Sequence, residues 1–141
     1  MRQVEKEILL EAMGKSGFCQ VAAGGGSMLP VIRNGDWVRI ERKSADRIQR
    51  GGILAFFLES DLFIHRIIRV TGRLPEPSFV TRGDSYFGSQ CTVPFSQVLG
   101  VAVWRERQGR RRRLDQPALN QVLAFISLPI SLIHSVLRKI L

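Results

Sequence analysis

Ser27 and His65 are the two residues of this chain whose types and surroundings suit acyl-transfer chemistry. Ser27 lies in the stretch Gly24-Gly25-Gly26-Ser27-Met28-Leu29-Pro30. Its glycines let the main chain take φ > 0 and approach a bound peptide with no Cβ in the way. Pro30 stops the segment from continuing as a regular ladder. A serine so placed can attack a carbonyl, with Gly25, Gly26 and Met28 as the neighbouring oxyanion and substrate-binding positions. An ordinary Gly-Ser turn has the same composition, so the chemistry also needs a base. The sequence offers two histidines. His134 falls near the C-terminus, away from the β-forming region. His65 lies between Ile64 and Ile67, where a half-buried imidazole can be held in one rotamer and one tautomer. Asp84, in a Gly-Asp-Ser turn, either orients His65 or serves as a local Asx cap.

The elements that must position these residues read as short strands. Residues 3 to 14 place Val4, Ile8 and Ala12 on one helical row, with Leu9 and Met13 beside it, which predicts a short amphipathic helix. Gly14 and Gly17 are expected to end it. Phe18 to Ala23 then reads as a strand that delivers the chain to the glycine-rich turn. Asn34-Gly35 signals a turn, and Asp36 to Arg42 alternates two distinct faces, as a strand does. Ile53 to Leu58 and Leu62 to Val70 read as a hairpin joined at Glu59-Ser60-Asp61. The loop from Gly72 to Pro77 leads to a short strand at Phe79 to Thr81, and Val98 to Trp104 is the last strand. Six or seven short strands with Gly and Pro punctuation, and no helices alternating with them, predict a mainly β fold built on a coiled, antiparallel, barrel-like sheet.

The chain has 141 residues, 45% of them hydrophobic, enough for one domain with a real core. Its net charge of +9 points to a polyanionic partner, either nucleic acid or an anionic membrane surface. Much of that charge is local, since six arginines against one glutamate leave +5 between residues 105 and 113. Cys19 and Cys91 are too few for a disulfide framework and lack metal-ligand spacing, so neither a metal nor a cofactor is expected. Arg2, Glu5, Lys6, Glu7 and Glu11 interrupt the N-terminus and exclude the apolar core of a cleavable secretion signal. The expected organisation is a helix over 1–16, a β domain over 17–104, a basic linker over 105–117 and a C-terminal amphipathic helix over 118–141.

In that last segment Leu119, Val122, Leu123, Ile126, Ile130 and Ile133 belong to a wide apolar face. Asn120, Ala124, Ser127, Ser131, Ser135 and Arg138 form a polar stripe, Asp115 is placed to cap the helix, and Pro129 to kink it. The length suffices to cross a bilayer, but the continuous stripe favours a helix lying in the interface. Preceded by the arginine cluster, it predicts a membrane-associated protein that prefers anionic lipid. Were the helix to span, the arginines at its start would keep the β domain on the cytoplasmic side. The arginines lack interleaved aromatic residues or a recognisable module, so no nucleic-acid partner is expected.

Taken in order, Gly26-Ser27-Met28-Leu29-Pro30, Asn34-Gly35-Asp36-Trp37-Val38, Gly51-Gly52-Ile53, Ile64-His65-Arg66-Ile67-Ile68, Thr81-Arg82-Gly83-Asp84 and Val98-Leu99-Gly100 resemble the type I signal peptidase family. Its superfamily also includes the self-cleaving repressor domains. The resemblance covers about residues 20 to 104. It implies the coiled β fold of those peptidases, Ser27 as nucleophile, His65 as general base in the manner of the Ser/His branch, and a precursor polypeptide as substrate. Gly25 stands where many relatives carry a second serine, so the oxyanion site rests on backbone donors. Gly52 replaces an acid, and Gln90 stands where the Ser/His branch has a second aspartate. The orienting acid is therefore Asp84 or nothing, leaving a triad or a Ser/His dyad. A self-cleaving or inactive repressor-like dimerisation module, or a degenerate peptide-binding scaffold, is the alternative.

Overall fold

The computed structural model describes residues 2–86 and 89–116. The expected C-terminal helix, with Pro129 and His134, lies outside the described residues. Among the described residues no helix is long and apolar enough to cross a membrane.

The chain begins with helix α1 (Gln3–Ser16), followed by strands β1 (Phe18–Ala22), β2 (Trp37–Glu41), β3 (Ile53–Leu58), β4 (Asp61–Thr71), β5 (Ser78–Arg82), β6 (Cys91–Pro94), β7 (Val98–Arg107) and β8 (Arg110–Arg113). The eight strands form one antiparallel sheet in the order β1-β2-β7-β3-β4-β5-β6, with β8 added to β7. The sheet is open: β1 and β6 lie at its two ends and do not pair, so the barrel-like closure expected from the sequence does not form. Register shifts at Arg39/Ile40, Ala55/Phe56 and Ile67/Arg69 interrupt three of the ladders. Such bulges bend a strand and increase its twist.

The curling sheet buries both faces of β3. Ile53, Ala55 and Phe57 enter one core cluster with Met28, Val38 and Ile40, while Leu54 and Phe56 enter a second with Ile67, Phe79 and Val93. This is why β3 reads as an unbroken apolar run. Each fully buried side chain of that size contributes about 1.5–3 kcal/mol of transfer free energy.

Four further expectations change. Helix α1 runs through Gly14 to Ser16 and ends where Gly17 adopts a left-handed φ of 77° and donates to the Met13 carbonyl. An interior glycine costs a helix about 1 kcal/mol against alanine and does not by itself stop it. Its buried side is Met13 with Leu9 and Ala12, whereas Val4 and Ile8 of the expected apolar row are exposed, because packing on the sheet involves the C-terminal turns. The basic linker is also not a linker. Arg105–Arg113 forms a hairpin in which Gln108 and Gly109 both have positive φ, at 52° and 77°. That is the geometry of a type I′ turn, reached here with Gln in place of the usual Asn or Asp. Strand β6 was not expected at all: it is four residues long, ends in Pro94 and lies on an edge, so it leaves little pattern in the sequence.

Candidate active site

The loop that carries Ser27 follows β1. Gly25 has φ +74°, a conformation that other residues rarely adopt, and its N–H donates to Asn34 Oδ1 at 3.2 Å. The side chain of Met28 is buried in the first core cluster and ties the loop to the domain. Ser27 is thereby raised, half-buried, at the side of a cleft of about 370 Å³. Val21, Ala23, Ile32, Leu62 and Ile64 give that cleft an apolar lining, and Gly25, Gly26, Ser27, Met28 and His65 also face it.

His65 Nε2 lies 3.2 Å from Ser27 Oγ, across 38 residues of sequence. The imidazole stands on β4 opposite Leu54 of β3, with the Phe56 and Phe63 rings each 5.9 Å away and tilted edge-on or obliquely to it. Burial pushes the His65 pKa below its usual range, against a smaller upward pull from the Asp84 carboxylate. The imidazole therefore stays neutral, and able to accept a proton, to lower pH than a free histidine. The N–H of Ser27 donates to no described residue. An N–H so placed is free to donate to a developing oxyanion.

Asp84 does not orient the imidazole through a hydrogen bond. Its Oδ1 and Oδ2 accept from Arg66 Nε and Nη2, both at 2.8 Å, and no described residue hydrogen-bonds His65 Nδ1. Arg66, the next residue of β4, meets the turn after β5 and engages Asp84 there. A guanidinium fork also matches a carboxylate better than an imidazole edge does. Arg66 Nη1 donates to the Gly51 carbonyl at 2.8 Å, so the Gly51-Gly52 segment is held by the same arginine.

The turn that Arg66 holds grips the Ser27 loop. The Ser85 N–H donates to the Ser27 carbonyl at 2.9 Å, and the Ser85 hydroxyl lies 2.8 Å from the Gly26 carbonyl and 2.9 Å from that of Leu29. Gly83 lies so close that a Cβ there would come within 2.6 Å of the Ser27 carbonyl oxygen. Asp84 thus acts on the site through Arg66 and the turn. Sequence reasoning missed these roles of Arg66, Gly83 and Ser85; the available signals were the Arg directly after His65 and the Gly-Asp-Ser directly after a strand.

No model of a known protein family matches the chain, and no curated protein matches it.

Proposed function

We propose that this protein is a serine endopeptidase of the signal peptidase type that removes a signal or leader segment from a precursor polypeptide. The approach of Ser27 Oγ to His65 Nε2 within an apolar cleft carries the reading. His65 accepts the hydroxyl proton as Ser27 Oγ attacks the scissile carbonyl, and the Ser27 N–H stabilises the developing oxyanion. The imidazolium returns its proton to the leaving amine, which departs and leaves the acyl group on Ser27. Water, deprotonated by His65, then releases the acyl group and restores the serine. With Asp84 engaged by Arg66, the pair works as a dyad.

Among the described residues, two unpaired main-chain edges border the cleft. There strand β1 pairs only with β2, and residues 62–65 of β4 pair only with β3, because pairing with β5 begins at Arg66. An extended peptide laid between them satisfies those groups in the manner of an added strand. Val21, Ala23, Ile32, Leu62 and Ile64 favour small apolar side chains next to the cut.

The test is to incubate the purified full chain, in detergent or with liposomes, with precursor peptides carrying small residues at the cut site. Wild type is expected to cleave, and Ser27→Ala and His65→Ala each to lose on the order of 10³-fold or more in kcat. Cleavage that survives Ser27→Ala overturns the assignment. Peptide binding without cleavage by the wild type replaces it with an inactive scaffold.

A further inference from the structure

Three carbonyls of the Ser27 loop converge on one residue of the turn after β5. The Ser85 hydroxyl lies 2.8 Å from the Gly26 carbonyl oxygen and 2.9 Å from that of Leu29, and the Ser85 N–H donates to the Ser27 carbonyl at 2.9 Å. One residue earlier, the Asp84 N–H lies 3.5 Å from Met28 Sδ. The hydroxyl has a single proton, which Gly26 and Leu29 share. The Gly26 carbonyl also accepts from the Leu29 N–H, at the longer distance of 3.2 Å.

This convergence fixes the direction of the main-chain donors as well as the path of the chain. The bonds Gly26–Ser27 and Ser27–Met28 are trans. In a planar trans peptide the N–H points opposite to the C=O of the same unit. With the Gly26 carbonyl turned towards Ser85 Oγ, the Ser27 N–H is turned away from that side chain. With the Ser27 carbonyl turned towards the Ser85 N–H, the Met28 N–H is turned away likewise. Neither amide donates to a described residue, and Ser27 and Met28 both line the cleft. Local sterics do little to set the Gly26–Ser27 plane, because three successive glycines lead into it. The hold must come from outside the loop, and Ser85 supplies it.

We infer that Ser85 is a positioning residue for peptide cleavage: by holding the Gly26 carbonyl, its hydroxyl aims the Ser27 N–H at the point where the oxyanion develops. The inference rests on the peptidase reading and adds to it the side chain that orients the donor in advance. A donor aimed beforehand stabilises developing charge with no reorganisation at the moment of reaction. What Ser85 supplies is therefore felt in the transition state and not in the binding of uncut peptide. It acts through the main chain of Gly26 and takes no part in the proton transfer between Ser27 and His65.

The test measures kcat and KM on one precursor peptide for the full chain as wild type, Ser85→Ala and Ser85→Thr. Alongside it goes the inhibition constant of the matching peptide aldehyde, whose carbonyl carbon bonds to Ser27 Oγ and leaves its oxygen in the oxyanion position. Affinity for uncut peptide is compared between Ser27→Ala and Ser27→Ala/Ser85→Ala. Ser85→Ala is expected to lose about 30-fold in kcat, short of the roughly 10²–10³-fold that follows outright removal of an oxyanion donor. KM should stay within about twofold, the aldehyde should weaken by about the same factor as kcat/KM, and Ser85→Thr should recover most of the loss. The two Ser27→Ala chains should bind uncut peptide equally. Wild-type kcat in Ser85→Ala, a loss that Ser85→Thr does not recover, or a loss carried by KM and by weaker binding of uncut peptide overturns the inference and leaves the peptidase reading standing. Absence of cleavage by the wild type removes that reading, and the role of Ser85 with it.

Discussion

Two Arg–Asp centres flank the Ser27 loop, and they differ in how completely their charge is matched. At Arg66–Asp84 one guanidinium, 1% exposed, meets one carboxylate, 10% exposed, through two hydrogen bonds of 2.8 Å, and a third goes to the Gly51 carbonyl. At Asp36 one carboxylate faces both Arg105 and Arg107, with Arg33 and Arg112 close enough to act on Arg105 electrostatically. The first centre is closed and neutral, and it fixes the turn that grips Ser27. The second is open on one side and carries spare positive charge outward. Similar chemistry thus gives a closed, balanced ion pair in one place and a carboxylate shared between two guanidinium groups in the other.

Arg66→Met tests the closed centre most severely, because it leaves Asp84 largely buried without its counter-charge. A loss of about 3–5 kcal/mol in urea unfolding is expected. Gly83→Ala comes next: the added Cβ must displace the Ser27 carbonyl, which lowers both stability, by about 1–3 kcal/mol, and peptide cleavage. At the open centre Arg107→Gln is expected to cost only about 1–2 kcal/mol, since Arg105 and the Arg33 amide still serve Asp36. A cost equal to that of Arg66→Met would break the comparison.

Acid sharpens it further. Burial would raise the Asp36 pKa, but hydrogen bonds from Arg107 and the Arg33 amide, with the charges of Arg107 and Arg105, hold it below its ordinary value. The stability this supplies is present above the unfolded value of about 3.9 and is lost as pH falls through the depressed folded value. Urea midpoints measured against pH should therefore fall over that window in the wild type, and by less in Arg107→Gln. The smallest effect concerns His65. The acid limb of kcat/KM should lie below the free imidazole value of about 6.5, and Asp84→Asn should move it lower still, because the carboxylate favours the imidazolium. A loss on the order of 10⁴-fold in kcat with the fold intact would instead mark Asp84 as the orienting member of a triad.

Much of this was legible in local pattern. The alternation and apolar runs of β2, β3 and β4 were readable because each strand's neighbours bury it in a simple way. Ser27 and His65 stood out through rare surroundings, three glycines before one and an apolar strand around the other. Strand β8 was hidden by four consecutive arginines, whose composition reads as solvated chain while cross-strand pairing decides otherwise. The exposure of Val4 and Ile8 was hidden for a related reason: periodicity defines a helical face, but not how much of the helix reaches the sheet.

The sequence alone determined a mainly β, antiparallel domain with a glycine-bounded serine and one histidine able to serve it, because backbone freedom and strand alternation are local properties. Only the tertiary structure decided that Asp84 belongs to Arg66, that Gly83 and Ser85 grip the serine loop, that the sheet stays open and that the arginine run folds back as a strand. Each of those depends on which residues distant in sequence are brought within hydrogen-bond reach, and spacing along a chain does not encode that distance.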